Sequence, residues 1–427
     1  MSDGYREMWK ELGLDLERHD ALLASLLPVY QEVYLSQKNR PKSMGYYDFV
    51  VSEIHGLRVK ELVDFRKKGG KVVSTFCLYV PEELVIAAGA VQVGLCGGAN
   101  TTIEYAERDL PRNLCPLIKS SYGFKISALC PYFAVSDLIV GETTCDGKKK
   151  MYEFLSRHAP TYVVEVPHKP NTEHAKMLWF EELKLLKDKL EELTGNKITV
   201  EKLRNAVNIV NEKRNVLRKL FEARKARPSP ISGKDAILVT QISFYDDPRR
   251  FVEKTEELVR ELEERIKNKE GVVDEDAPRI VISGCPMAIP NWKLHHIIES
   301  SGAVVVAEES CTGSRYLSIE SINANAKSVD EFLRAMVDAY SNIHCACFTP
   351  NDERVNDVVK LVKEFSADGV IHYNLHSCHP YSVEANKVTR ALKEKGIPAI
   401  SIETDYSQED VGQLTTRVEA FIEMLKK

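Results

Sequence analysis

The chain has 427 residues, which is too long for one hydrophobic core and suits two or three domains. Its 58 Lys and Arg residues nearly balance its 63 Asp and Glu residues, and a net charge of −5 argues against nucleic acid or an anionic membrane bound by bulk charge. The N-terminus is polar and no apolar stretch approaches the roughly 20 residues that span a bilayer, so we expect a cytoplasmic protein.

Residues 1–45 predict an amphipathic helical segment, because Leu22, Leu23, Leu26 and Leu27 fall on one side of a helix. Residues 46–170 alternate between helical and strand patterns and predict a first α/β domain. Short apolar runs between helices are typical of a parallel sheet that helices cover on both faces. The strands of this domain are predicted at Val72–Phe76, Val91–Leu95, Asp137–Val140 and Tyr162–Val166.

Residues 171–230 lose the β-branched runs and predict a helical hairpin that connects two domains. Residues 231–427 predict a second α/β domain. Its strands are predicted at Ala236–Thr240, Arg279–Ser283, Ala303–Ala307, Gly369–Tyr373 and Pro398–Ile402. We therefore expect an α/β fold with two doubly wound parallel-sheet domains of the Rossmann or flavodoxin type, a helical N-terminal segment and a helical connector.

Six of the ten cysteines follow predicted strands within a few residues. They are Cys77, Cys96, Cys145, Cys285, Cys311 and Cys378. Ligands of open α/β sheets bind at the carboxyl ends of the strands, so two such edges facing one cleft would bring these thiols together. In a reducing compartment, ten cysteines are more typical of metal ligands or small buried apolar residues than of disulfides.

The local context of three cysteines favours metal binding. Cys115 and Cys130 each precede a proline, which fixes the turn beside the sulfur as in many iron–sulfur sites. Cys145 precedes a helix that we expect to begin near Lys148 with Asp146 as its cap. The N–H groups at such a helix start should lower the pKa of the thiol. The lysine run of this helix is interpreted as a solvated face.

Other segments are less specific. Cys345 and Cys347 alternate as in a strand, which we interpret as core packing with the thiols on opposite faces. Arg315 is placed to pair with Glu308 or Glu309. There is no C-x-x-C pair, which disfavours a zinc ribbon or a ferredoxin, and no phosphate-binding or dinucleotide-binding glycine motif.

Histidines surround the last of these cysteines. His372, His376 and His379 lie close to Cys378 in the sequence, and a mixed His and Cys cluster permits zinc. The same histidines could instead donate hydrogen bonds to the sulfides of a cluster.

Six segments from about residue 45 onward are characteristic, namely YVPEELVIAAGAVQVGLCGGA, LPRNLCPLIKSS, SDLIVGETTCDGKKKMYE, ISGCPMAIPNWK, EESCTGSRY and DYSQEDVGQLTTRVEAFIE. On these segments the chain resembles the family of 2-hydroxyacyl-CoA dehydratase and benzoyl-CoA reductase subunits, and within it the double-cubane cluster proteins. This resemblance implies an oxygen-sensitive oxidoreductase component of anaerobic metabolism. A separate ATP-hydrolysing iron–sulfur activator would reduce it, and it would pass low-potential electrons to a small unsaturated substrate. The resemblance further implies a homodimer.

The resemblance also implies a cofactor. Ordinary dehydratase subunits hold a 4Fe-4S cluster on three cysteines, which match Cys115, Cys145 and Cys378. An 8Fe-9S double cubane needs six, and the surplus cysteines of this chain fit that number. The expected ligands are Cys77, Cys115, Cys130, Cys145, Cys285 and Cys378, with Cys96 and Cys311 in reserve.

Two alternatives stay open. One is a 4Fe-4S subunit of a 2-hydroxyacyl-CoA dehydratase, which would pair with an unlike subunit. The other is a non-catalytic electron carrier or a zinc-stabilised scaffold. Proximity in sequence makes His376, His379 and Lys119 the candidate proton donors. The sequence does not identify the substrate, nor whether coenzyme A esters bind.

Overall fold

The computed structural model describes residues 4–426. Two four-stranded sheets form its framework, and every strand pair in them is parallel. The first sheet contains β1 Val72–Thr75, β2 Val91–Gly94, β3 Leu138–Glu142 and β4 Thr161–Val164. The second contains β5 Arg279–Gly284, β6 Val304–Glu309, β7 Gly369–Leu375 and β8 Ala399–Thr404.

The two sheets share one topology. Their spatial orders are β2-β1-β3-β4 and β6-β5-β7-β8, so the strand order reverses between β1 and β3 and again between β5 and β7. Strands β1, β3, β5, β6 and β7 are buried along their whole length, which explains their Val- and Ile-rich sequences. The predicted fold class, with two Rossmann-like parallel sheets, is confirmed.

Helices surround both sheets. Helices α1–α9 are Arg6–Glu11, Leu16–Tyr30, Met44–Ser52, Leu57–Lys67, Glu82–Ala87, Ile103–Ala106, Pro116–Ile126, Pro131–Val135 and Asp146–Leu155. Helices α10–α19 are Glu173–Thr194, Val200–Ala223, Gly233–Ile242, Pro248–Asn268, Lys293–Ser300, Ser314–Leu317, Val329–Ser341, Glu353–Glu364, His379–Glu394 and Val411–Leu425. A π-helical turn at Gln31–Leu35 extends α2, and a 3-10 turn at Asn100–Thr102 precedes α6. Within residues 4–426, no helix has both the length and the apolar character that crossing a membrane requires.

The predicted helical hairpin is present as α10 and α11. Each helix begins at a threonine cap: Thr172 accepts a hydrogen bond from the Ala175 N–H, and Thr199 accepts one from the Lys202 N–H. Helix α10 ends at Gly195, whose φ of 70° is readily adopted by glycine.

One predicted strand is wrong. The segment Ala236–Thr240 belongs to α12, which begins after Ser232 because the Ser232 side chain caps the N–H of Asp235. All ten residues of α12 are buried. A helix that is buried on every side has no polar face, so its apolar run resembles a buried strand in sequence. The other eight predicted strands are confirmed, with ends shifted by up to two residues.

The N-terminal segment packs against both halves of the chain. The Trp9 indole donates to the carbonyl oxygen of His55 at 2.7 Å, and the imidazole rings of His19 and His55 share a hydrogen bond of 2.8 Å. Further along, Tyr34 packs edge-on against Trp292, with 4.9 Å between ring centroids. One continuous core accordingly includes this segment, the connector and both sheets.

The histidine pair should make stability depend on pH. Burial lowers the pKa of His19 to about 4, although the Asp20 carboxylate opposes that shift, and burial lowers the pKa of His55 to about 3. An unfolded histidine has a pKa of about 6.5, so below that pH the unfolded chain binds protons that the folded chain does not. We expect the free energy of unfolding to decrease from pH 6.5 towards pH 4, by at most about 1.4 kcal/mol per pH unit for each ring.

Urea unfolding followed by circular dichroism at several pH values checks this expectation. His19→Gln should make the pH dependence shallower, whereas His174→Gln, which alters an exposed histidine, should leave it unchanged. Equal slopes for the wild type and His19→Gln would contradict the assignment.

A buried ion pair joins α5, α11 and α16. The Arg214 guanidinium donates to the Glu83 carboxylate at 2.9 Å and to the Tyr340 hydroxyl at 2.7 Å, and that hydroxyl donates to the second Glu83 oxygen at 2.8 Å. Arg214→Met would leave the Glu83 charge buried without its partner, so we expect a loss of about 3–5 kcal/mol in urea unfolding. As a control, Lys176→Met removes only an exposed pair with Asp338 and should cost less than about 1 kcal/mol.

Candidate metal centre

All six cysteines that the sequence places after strands follow a strand within three residues. Cys77 follows β1 and Cys145 follows β3, so these two flank the switch point of the first sheet. Cys285 follows β5 and Cys378 follows β7, and they flank the switch point of the second sheet. Switch points at the carboxyl ends of strands are where open α/β sheets bind ligands.

A single large cavity of about 1380 Å³ lies against both of these edges. Nine of the ten cysteines line it, namely Cys77, Cys96, Cys115, Cys130, Cys145, Cys311, Cys345, Cys347 and Cys378. Much of the remaining wall is apolar, with Phe76, Phe124 and Met287 among its side chains, and Leu22 and Leu26 of α2 add to it from the N-terminal segment. The tertiary structure therefore brings thiols from distant parts of the sequence to one cavity.

The thiols fall into two groups. The Cys77 group consists of Cys77, Cys311, Cys345 and Cys347: Cys77 contacts Cys311, Cys345 contacts Cys347, and the two pairs interact electrostatically. The Cys115 group consists of Cys115, Cys285 and Cys378, in which Cys378 contacts both of the others. Cys145 interacts electrostatically with members of both groups.

The ten cysteines are all free thiols. Among residues 4–426, no three His, Cys, Asp or Glu side chains are arranged to hold a single metal ion. The thiols are spread along the cavity wall.

In the Cys115 group, contact between thiols and burial favour the protonated forms. The contact with Cys378, followed by burial, raises the pKa of Cys115, although the backbone N–H groups of Leu117 and Ile118 at the start of α7 donate to its sulfur and oppose the shift. Burial also raises the pKa of Cys145, and this effect is larger than the opposing effect of the hydrogen bond from the Lys148 N–H. The predicted lowering at Cys145 is therefore wrong, because burial dominates the effect of the helix start.

The Cys77 group has a cationic neighbour. The contact with Cys77, assisted by the Arg315 charge, lowers the pKa of Cys311. In the same way, the contact with Cys347 and the charge of Arg315 lower the pKa of Cys345. Arg315 pairs with Glu309, one of the two partners expected from the sequence.

The strand interpretation of Cys345 and Cys347 is wrong. Both residues lie in an irregular turn after α16, and both thiols face the cavity and contact each other. Alternation over a few residues does not distinguish a strand from a turn. The proline and asparagine at positions 350 and 351 were the signal for a turn.

The lysine run after Cys145 also differs from its prediction. Helix α9 begins at Asp146, earlier than expected, so Lys148 lies in the first turn and its side chain lines the cavity. Its ammonium group pairs with the buried Glu142 carboxylate. Only Lys149 and Lys150 form a solvated face.

Cys130 lines the cavity but stands apart from both groups. Burial raises the pKa of this thiol to about 11, and the interactions that oppose burial come from the Tyr132 and Phe133 N–H groups and from Lys125. No other thiol contributes to that balance within the described chain.

The three candidate proton donors are separated in the structure. His379, at the start of α18, lines the cavity. His376 bonds to Glu403 at 2.8 Å, Lys119 bonds to Glu107 at 2.9 Å, and neither lies on the cavity wall. Proximity in sequence to a cysteine thus did not indicate access to the cavity.

Known proteins are similar to this chain over most of its length. Residues 77–425 match the model of a family described as 2-hydroxyglutaryl-CoA dehydratase, D-component. The chain is 41% identical over 366 residues to the protein named "Putative dehydratase subunit YjiM" of Escherichia coli (strain K12), and the match covers 85% of this chain and 94% of that protein.

More distant relatives include both dehydratase and reductase subunits. The (R)-phenyllactyl-CoA dehydratase beta subunit of Clostridium sporogenes is 27% identical over 84% of this chain and 92% of its own length. A benzoyl-CoA reductase subunit of Thauera aromatica is 26% identical over 81% of this chain and 85% of its own length. The chain therefore belongs to the family of 2-hydroxyacyl-CoA dehydratase and benzoyl-CoA reductase subunits.

Proposed function

We propose that this chain is the iron–sulfur component of a low-potential reductase and holds an 8Fe-9S double-cubane cluster in the thiol-lined cavity. The observation that carries the proposal is the convergence of nine cysteines, all free thiols, on one cavity. Thiolates are the protein ligands of iron–sulfur clusters, and each must lose its proton when iron binds.

The arrangement of the thiols fits a cluster with two halves. Cys115, Cys145 and Cys378, which match the three ligand positions of ordinary dehydratase subunits, lie near one another. The Cys77 group supplies a second set of three in Cys77, Cys311 and Cys345. We propose these six as the ligands.

This set differs from the six cysteines that the sequence suggested. Cys311 and Cys345 replace Cys130 and Cys285, because Cys130 belongs to neither group and Cys285 is not on the cavity wall. Cys285 lies beside Cys378, and Cys347 lies beside Cys345.

The bound cluster would supply single electrons of low potential to a small unsaturated substrate. The side chains of this chain would control the surroundings. Apolar residues such as Phe124 and Met287 would keep water from the cavity, which favours a low potential. His379 is the candidate that reaches the cavity wall and could donate a proton to the substrate.

Partners form part of the same proposal. A separate ATP-hydrolysing iron–sulfur activator would deliver the electrons, since this chain has no phosphate-binding loop motif. Two copies would form a homodimer, and the protein would act in the cytoplasm, where thiols stay reduced. The relatives are named as subunits of larger enzymes, which supports an assembly with partner proteins.

One observation favours a second candidate. The grouping of Cys115, Cys145 and Cys378 would by itself hold one 4Fe-4S cluster, and a relative is named as a CoA dehydratase subunit. The chain would then be a subunit of a 2-hydroxyacyl-CoA dehydratase.

Iron and acid-labile sulfide per chain, measured after strictly anaerobic purification, test the proposal. We expect about eight irons for the double cubane and about four for the dehydratase alternative. Zinc without sulfide would contradict both and would support a zinc-stabilised scaffold.

A further inference from the structure

A buried guanidinium group faces the Cys77 group. The Nη1 atom of Arg315 lies 3.7 Å from the Cys311 sulfur and donates a hydrogen bond to the Tyr381 hydroxyl. That hydroxyl lies 3.8 Å from the Cys345 sulfur. The positive charge therefore reaches one thiol directly and a second thiol through the tyrosine.

The other nitrogen atoms of the guanidinium group hold Arg315 in this orientation. Its Nη2 atom donates to the carbonyl oxygens of Gly284 at 2.8 Å and Glu309 at 3.0 Å, and its Nε atom donates to the Glu309 carboxylate. The Tyr381 ring packs against Arg315 and Arg354, whose guanidinium carbons lie 5.0 and 4.9 Å from the ring centroid. The side chain of Arg315 is 3% exposed, so solvent does little to screen its charge.

The Cys115 group has a different environment. The pKa values of Cys115 and Cys378 depend most on other thiols, burial and backbone N–H groups, and within the described chain no Lys or Arg is among these causes. Lys148 does act on Cys145, the third proposed ligand of this half, but it acts on Cys77 as well and so does not distinguish the two halves. Neutral N–H donors stabilise negative charge less than a charged donor does. The two thiol groups therefore differ in their electrostatic surroundings.

We propose that the charge of Arg315, acting directly and through Tyr381, makes iron held by the Cys77 group easier to reduce than iron held by the Cys115 group. The inference rests on the proposed double-cubane cluster. Reduction adds one negative charge, and a fixed positive charge in a buried site stabilises the reduced form.

The proposed reduction would transfer a single electron. A one-electron iron–sulfur donor would be oxidised, and one ferric ion held near the Cys77 group would become ferrous. No bond forms or breaks, and Arg315 keeps its proton at every accessible pH.

Tyr381→Phe tests the proposal, because phenylalanine retains the ring between the two guanidinium groups and removes only the hydroxyl. The readout is a redox titration with a titanium(III) chelate, followed by electron paramagnetic resonance on the iron-loaded protein. We expect the first reduction step to become less favourable by about tenfold, which equals about 59 mV for one electron. The second step should keep its potential.

Tyr406→Phe is the matched control. Tyr406 interacts with Cys115 and Cys285, and within residues 4–426 its hydroxyl has no hydrogen-bond partner. Loss of this hydroxyl should leave the potential of the first reduction step unchanged. Arg315→Lys keeps the charge but loses the planar fork, and should shift the first step in the same direction as Tyr381→Phe.

A Tyr381→Phe protein that has wild-type iron content and unchanged potentials for both reduction steps would overturn the proposal. Equal shifts of both steps would also overturn it, because they would show a general change in the cavity. Failure of the proposed function would be seen separately, as wild-type protein that binds no iron–sulfur cluster.

Discussion

Replacement of Cys311 or Cys345 with serine is expected to lower the iron content from about eight to about four atoms per chain. Both thiols belong to the Cys77 group, and loss of one ligand should release the half of the cluster that this group holds. The Cys115 group should keep its iron, because its thiols contact one another and their contacts do not depend on Cys311 or Cys345.

Cys130→Ser is the matched control for these variants. This thiol lines the same cavity and is partly buried, but it interacts with neither group, so its loss should leave the iron and sulfide contents unchanged. Chemical analysis of anaerobically purified protein measures both. Loss of iron from Cys130→Ser but not from Cys345→Ser would show that the proposed ligand set is wrong and would favour the set suggested by the sequence.

Gly284→Ala is expected to reduce the free energy of unfolding by about 4 kcal/mol, through backbone strain and overpacking together. Gly284 ends β5 with a φ of 142°, and an added Cβ atom would lie 1.9 Å from the backbone oxygen of Tyr373 in β7. The obstacle is backbone, so β5 and β7 would have to separate. Cys285 follows directly, donates its N–H to the same oxygen and contacts the proposed ligand Cys378, so the variant should also retain less iron.

Gly195→Ala distinguishes the cost of backbone strain from the cost of a steric clash. Gly195 also has a positive φ, of 70°, but nothing lies within 4 Å of an added Cβ atom. Only the left-handed backbone conformation should then matter, at a cost of about 1 kcal/mol. Urea unfolding of both variants measures the difference. Similar costs for the two substitutions would contradict the close contact between β5 and β7.

The sequence predicted most elements because their signals are local. Buried parallel strands require short β-branched runs such as those of β1 and β5, and turns and caps mark where helices begin and end. The exception, α12, is a helix buried on every side, whose sequence carries no polar face to reveal the helical period.

The site was predicted in part. The position of cysteines just after strands placed Cys77, Cys145 and Cys378 at the cavity, since the carboxyl ends of parallel strands share an edge. Cys345 and Cys347 were missed as cavity residues because they lie in a turn between helices, where no strand end marks them.

Patterns along the chain were enough to predict the fold class, the family and the abundance of thiols near strand ends, because each of these depends on neighbouring residues. Which thiols meet depends instead on the packing of distant segments. Cys77 and Cys311 follow strands of different sheets, and their contact requires the carboxyl edges of the two sheets to meet at one cavity. The position of Arg315 beside Cys311 has the same origin, because Glu309, Gly284 and Tyr381 hold it there together.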